Sequence, residues 1–441
     1  MAEESFLRKV GKIAIPVALQ SMLQSSFSMI DQIMVGQLGE QSIAAVEIAG
    51  KPGFIYAFVT GAIGAIAGIM ISQYLGKRDR AAEERSICVN FVFMMLTGAL
   101  FFVLAALFSL PFVRLFNDDE AVVCEGAAYL RIIGWAFLPL ALCNLFGVVV
   151  RCRGRASWPL IVGAVSALLN TALNYCLIFG RFGMPALGVR GAAYASVISQ
   201  FVSAVLISVL FFRLYGRVRF SLALGRDGLL QYLSMLLPVV INEFLWAAGQ
   251  SVNTFVYGHM GTDELAGMSL TGTVQGLTVG ALSGLAQAAG ILIGKRLGER
   301  AYDEAYREAK KLCLYGLAGT AFFSLLLVVL RYPYVRLYQV SDGVRGIGAQ
   351  ILLAFAVLMP VKVQNMILGG GIIRSGGRTK YIMWIDLFGT WLIGVPLALL
   401  CGLVWKLPIV WVYLILSQEE LVRFLISVAM FRSRKWMNTI N

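Results

Sequence analysis

Asp31 and Glu243 stand inside long apolar stretches, where a charge is costly and marks a functional position. Gln20, Gln24, Ser28 and Asp31 fall at i, i+4, i+8 and i+11, so one helical face carries all four. Pro16 precedes them and lacks a backbone donor, so a kink there frees carbonyls toward the same side. Glu243, Trp246, Gln250 and Asn253 share a second face at i, i+3, i+7 and i+10, with Asn242 beside the acid and Pro238 close by. An acid on such a stripe can hold a proton, a sodium ion or an organic cation. The neutral groups serve equally well as interhelical hydrogen-bonding glue. Trp246 either fills core or holds a cation on its ring face. Lys362 lies twelve residues before Arg374, about 18 Å from that helix end at about 1.5 Å per residue, too deep to snorkel. A buried lysine needs an acid, and Glu243 is the expected partner, with Asp386 as the alternative. Asp386 instead caps arginines at the helix end on the other reading. Gln364 and Asn365 complete this polar set, which we assign to a substrate cavity.

Other chemistries lack material. The single histidine, His259, rules out histidine triads and histidine metal sites. The seven cysteines form no CxxC pair and read as small core residues. No catalytic residue, metal ligand or cofactor is expected beyond a coupling ion, H+ or Na+. A Walker motif is absent, which argues against coupling to ATP.

The elements that must position these residues follow from composition. The chain has 441 residues, 59% hydrophobic and only 14% charged, with a mean hydropathy of +0.78. A soluble domain has about 25% charged residues. A bilayer crossing takes about 20 apolar residues per helix. Twelve stretches qualify: 13–36, 46–74, 87–110, 127–150, 157–179, 189–212, 229–258, 266–294, 310–331, 347–373, 380–403 and 409–430. The first begins after the acidic MAEESFLRKVGK and reads as a retained helix, not a signal peptide. With the N-terminus inside, the cytoplasmic segments hold 26 Lys and Arg and the external ones 7. That asymmetry puts both termini in the cytoplasm. It also accounts for the net charge of +13 without any nucleic-acid partner.

Shifted by 222 residues, the chain overlays itself. Pro16 meets Pro238, Gly36 meets Gly258, Gly39 meets Gly261, and Leu75–Gly76 meets Leu297–Gly298. After small slips, Arg151, Gly154 and Arg155 meet Arg374, Gly377 and Arg378. Glycine, proline and arginine kept in register at loop positions are not a product of biased composition. The two GxxG runs read as tight external turns. Each repeat holds an even number of helices, so the halves run parallel, an arrangement found in secondary transporters. Under the repeat, Glu243 corresponds to Ser21 and Asp31 to Asn253, so each half keeps one buried acid at a non-equivalent depth. The expected fold is an all-α integral membrane protein: twelve transmembrane helices in two parallel-repeat six-helix bundles. The lobes are 1–212 and 229–441, joined by a basic cytoplasmic linker at 213–228.

The chain resembles the multidrug and toxic compound extrusion (MATE) family over nearly its whole length. The runs that carry the resemblance are IPVALQSMLQSSFSMIDQIMVGQLG, SQYLGKRD, GVRGAAYASVISQ, LPVVINEFLWAAGQSVNTFVYGHMGTDELAG and IIRSGGRTKY, with the Asp386, Trp391, Pro396 pattern. The resemblance implies cation-coupled antiport exporting organic, often cationic, compounds. It implies that Asn170 and Asn174 face Asp31, and that Ser196 stands where relatives often have threonine. Each asparagine is then either packing glue or part of a cation site. The chain departs from the family pattern in two places. Gly154-Arg155-Ala156 replaces the usual Gly-Asp-Thr, with Arg378 at the matching acid position of the second half. Asn174 replaces an aspartate, which removes a carboxylate from a family-style sodium site.

These readings converge on a multi-pass plasma-membrane antiporter, a monomer whose partners are organic cation substrates and membrane lipid. Coupling falls to Asp31, Asn170, Asn174, Ser196 and Glu243. A carboxylic acid in low dielectric takes up a proton nearer neutrality than one in water, so a proton is a workable coupling ion. The alternative is a flippase for lipid or lipid-linked oligosaccharide, which should show a basic cavity for phosphate. A channel would fit the polar helices but not the asymmetric acids. An intramembrane enzyme lacks its nucleophile and base.

Overall fold

The computed structural model describes residues 5–216, 218–219, 226–338 and 340–440. All regular structure among the described residues is helical. Eleven helices are long and apolar enough to cross a membrane. They are α1 (Phe6–Gly36), α2 (Glu40–Lys77), α3 (Arg80–Arg114), α4 (Glu120–Cys152), α5 (Ser157–Phe179), α6 (Val189–Tyr215), α7 (Arg226–Met260), α8 (Thr262–Gly298), α9 (Tyr302–Val335), α10 (Asp342–Ile373) and α11 (Thr379–Val404). The twelfth expected span, 409–430, is broken at Ser417 into Ile409–Leu416 and Gln418–Arg432, together α12. Neither half alone, at 8 and 15 residues, is long enough to cross a bilayer. Residues 217 and 220–225 of the expected linker lie outside the described residues.

Local chemistry explains the irregularities. Asp119 caps α4 by accepting from the Ala121 N–H at 2.9 Å. A 3-10 turn at Gly134–Ala136 interrupts α4 just before Pro139, whose missing donor breaks the ladder there. Ser341 caps α10 through the Val344 N–H. Beyond Pro360, the end of α10 opens into a π-helix over Met366–Ile373. Two more π-helical stretches, Phe388–Gly394 and Leu400–Val404, flank Pro396 in α11.

The chain divides into two compact units. One comprises Leu19–Ile71 and Arg80–Leu224. The other comprises Met1–Ala18, Ser72–Asp79 and Gly225–Asn441. We refer to them as the N unit and the C unit. The first turns of α1 and the last turns of α2 thus belong to the C unit. In the N unit, Val35, Ile178 and Ala192 pack together, and Ala45, Val113, Val122 and Val123 form another cluster. In the C unit, Val256, Ile351, Ala398, Cys401 and Val412 form the core beside the π-helical turns. Large apolar side chains such as Leu107, Leu168, Phe322 and Leu325 point outward, as lipid-facing residues must.

Close backbone contact seats the short α1 and α2 segments in the C unit. A Cβ at Gly284 would lie 2.1 Å from the Ala14 carbonyl oxygen, and one at Gly298 would lie 2.0 Å from that of Gln73. Gln73 also ties the C-terminal tail down. Its amide donates to the Ser375 and Asn438 carbonyls, at 2.7 and 3.2 Å, and its oxygen accepts from the Ile440 N–H at 2.7 Å. Nothing would lie within 4 Å of a Cβ at Gly276, on the same helix α8. Gly284→Ala should therefore destabilise the purified protein by about 1–3 kcal/mol through overpacking. Gly276→Ala should be neutral or stabilise it by up to about 1 kcal/mol through helix propensity. Thermal unfolding in detergent compares the two, and equal melting temperatures would refute the contact.

Candidate functional site

Helices α1, α4, α5 and α6 enclose a cavity of about 320 Å³, lined entirely by N-unit residues. Gln20, Gln24, Ser28 and Asp31 all line it, so the polar face of α1 is its wall. Asn144 on α4, Ser166 and Asn170 on α5, and Ser199, Gln200 and Ser203 on α6 extend the polar lining.

At one end Asp31 meets the two asparagines. The Asn174 amide donates to Asp31 Oδ1 at 2.7 Å and to Asn170 Oδ1 at 3.2 Å. Asn170 in turn donates to Ser196 Oγ at 3.2 Å. With its amide turned over, Asn170 donates instead to both Asp31 oxygens at 3.0 Å and accepts from the N–H and hydroxyl of Ser196. Asn174 is buried, and among the described residues its Oδ1 has no partner. The one-turn spacing of the asparagines puts both amides against one carboxylate. Coupling residues expected from α1, α5 and α6 are thus brought together.

The polar residues of the C unit do something different. Arg423 on α12 binds three carboxylates: Asp386 at 3.0 Å, Glu419 at 3.1 Å and Glu420 at 3.2 Å. Asn242 on α7 donates to Asp386 at 2.8 Å. Asn365 donates to the Glu420 carboxylate at 2.7 Å and to its backbone carbonyl at 2.8 Å. Glycines in the π-helical stretch make the room. A Cβ at Gly389 would lie 2.4 Å from Arg423 Cγ, and one at Gly394 would lie 2.2 Å from Glu419 Oε2.

The pair expected between Glu243 and Lys362 does not form. Lys362 Nζ lies 3.9 Å from Glu420, while Glu243 lies 4.0 Å from Arg374. Arg374 sits about three turns further along α10 than Lys362, at the level Glu243 occupies on α7. Asp386 neither pairs with Lys362 nor caps an arginine at a helix end; its partner is the buried Arg423. Gln364 donates to the Cys313 carbonyl at 2.8 Å and so bonds α10 to α9. Trp246 and Gln250 are exposed on α7. Asn253 is buried, with no partner for its Oδ1 among the described residues.

Glu419, Glu420 and Arg423 escaped the sequence reading, which absorbed them into an unbroken last span. Their signal was an acid three and four residues before an arginine within an apolar stretch. Arg151 was also missed as a cavity residue, having been read only as a cytoplasmic loop charge.

The MatE family model matches the chain twice, over residues 16–176 and 238–400, so each match starts at one of the paired prolines Pro16 and Pro238. The chain belongs to the MatE family. It is a multi-pass transporter of the plasma membrane, not an enzyme. The uncharacterized transporter YisQ of Bacillus subtilis is 23% identical, covering 96% of this chain and 93% of its own length. The probable multidrug resistance protein NorM of Thermotoga maritima is 23% identical over 97% and 93%. NorM of Chromobacterium violaceum is 26% identical over 92% and 88%. The MatE fold is shared with the Vibrio cholerae MATE transporter VcmN in its bent form, at a TM-score of 0.88, 17% identity and 98% coverage of both chains. An outward-facing multidrug resistance MATE transporter matches at 0.86 and 17%, covering 97% of this chain and 96% of its own.

The charge cluster predicts its own couplings. Arg423→Met strands three acids and should cost about 3–5 kcal/mol in thermal stability. A double-mutant cycle of Lys362→Met with Glu420→Gln should give a coupling of about 0.5–1 kcal/mol. The same cycle with Glu243→Gln should give none. The reverse pattern would restore the Glu243–Lys362 pair.

Proposed function

We propose that this MatE protein exports organic compounds, many of them cationic, in exchange for protons by alternating access. The carrying observation is Asp31, an acid in a polar cavity that accepts its hydrogen bond from a neutral amide rather than from a fixed cation. An ionised Asp31 attracts a cation and accepts from Asn174. A protonated Asp31 becomes a donor, and a half-turn of the Asn174 amide would offer its unpartnered Oδ1 as the acceptor. Proton uptake then removes the charge that holds the cation and rearranges the amides together. The 26 to 7 bias of basic residues supports cytoplasmic termini, so the protons enter from outside.

Sodium is the weaker candidate. It favours several hard oxygen ligands, with carboxylate charge helping, and Asn174 supplies an amide where a second acid would serve. The flippase alternative called for a basic cavity, and the lining carries one acid against one arginine.

Efflux from proteoliposomes under separate gradients tests the proposal. An imposed pH gradient should drive export of a fluorescent organic cation, and a sodium gradient at clamped pH should leave export at background. Asp31→Asn should insert and melt like the parent yet lose gradient-driven export. Export at the parent rate by that variant would end Asp31's role, and sodium-driven export would end the proton assignment.

A further inference from the structure

The cavity's two charged lining residues, Asp31 and Arg151, stand toward opposite ends. Three of the four helices line the cavity over eleven residue steps, Gln20 to Asp31, Leu140 to Arg151 and Pro159 to Asn170, and α6 lines it from Ser199 to Ile207. Eleven residues rise about 16 Å. Asn170 and Ser196 mark the Asp31 end. Arg151, at the end of α4 and just before α5 begins, marks the Pro159 end.

Arg151, half-buried, differs from Arg153, Arg374 and Arg423. Arg153, two residues on, is held by Glu83 at 2.7 Å and stacks on Tyr215. Arg423 has three acids and Arg374 has Glu243. Among the described residues, no carboxylate pairs with Arg151 and no acceptor bonds its side chain. The internal repeat supplies the reason. Arg151 corresponds to Arg374, and the position of Glu243 is filled by Ser21. The N unit has kept the arginine and dropped its acid. A partly buried guanidinium without an anion is costly, and a ligand anion would remove that cost.

We propose that Arg151 is an anion-binding group of the substrate cavity, so that the cavity takes molecules bearing a carboxylate or phosphate along with their cationic part. The proposal rests on the functional reading only in taking this cavity as the substrate's. Asp31 attracts the cationic end and Arg151 receives the anionic end through its planar fork of donors.

Equilibrium binding to the purified protein in phosphatidylcholine nanodiscs tests it without any gradient, so a failure of coupling would not affect the result. The probes are rhodamine 110, which bears a free carboxylate, and rhodamine 123, its methyl ester. The acid should bind about tenfold more tightly than the ester. In Arg151→Gln the acid-to-ester ratio should fall to about one, whereas Arg151→Lys, which keeps the charge, should retain most of it. Equal binding of the two probes by the parent protein overturns the proposal even if the glutamine variant fails to fold. So does an unchanged ratio in a folded Arg151→Gln. Repeating the assay in discs containing phosphatidylglycerol separates a soluble anion from a lipid headgroup. An advantage of the acid that disappears only there would assign Arg151 to lipid and overturn the substrate assignment.

Discussion

A charge buried in a membrane protein must be neutralised by the protein itself, because hydrocarbon supplies neither water nor counterion. In the C unit this constraint is met by gathering charges. Arg423 takes Asp386, Glu419 and Glu420 at once, and Asn242 and Asn365 fill further lone pairs. The helices bend to allow it. The break at Ser417 comes just before the two acids, and the π-helical turn of α11 carries the glycines against which Arg423 and Glu419 lie. A regular helix with side chains at Gly389 and Gly394 would occupy that space.

The N unit meets the same constraint in the opposite way. Asp31 is satisfied by amides that carry no charge, and among the described residues no carboxylate pairs with Arg151. Both charges face a cavity instead of each other. Neutral amides can exchange donor for acceptor when a proton arrives, which a fixed guanidinium cannot do. The repeat made two similar scaffolds, and substitutions such as Ser21 against Glu243 divided the labour. In the C unit the charges of this cluster bind one another, and in the N unit Asp31 and Arg151 both line the cavity.

Much of the candidate site was legible from spacing. The i, i+4, i+8, i+11 series from Gln20 to Asp31 placed one face of α1 on the cavity, and the one-turn separation of Asn170 and Asn174 placed both amides against Asp31. The resemblance to MATE proteins, not the spacing, said which helices would meet. The last span is present at the expected place, but its break at Ser417 is hidden because Glu419, Glu420 and Arg423 lie among apolar residues.

The sequence by itself determined the helical spans, the twofold repeat and the polar face of α1. Span length and residue period are local properties, written along the chain in hydrophobicity and in steps of a helical turn. Only the tertiary structure decided which charge meets which. Lys362 lies by Glu420 and Glu243 by Arg374, although composition and depth alone would have joined Lys362 to Glu243. Partner choice depends on how far each helix is rotated and where it breaks. Those are set by packing among residues far apart in sequence, through π-helical turns and a break that no local period announces.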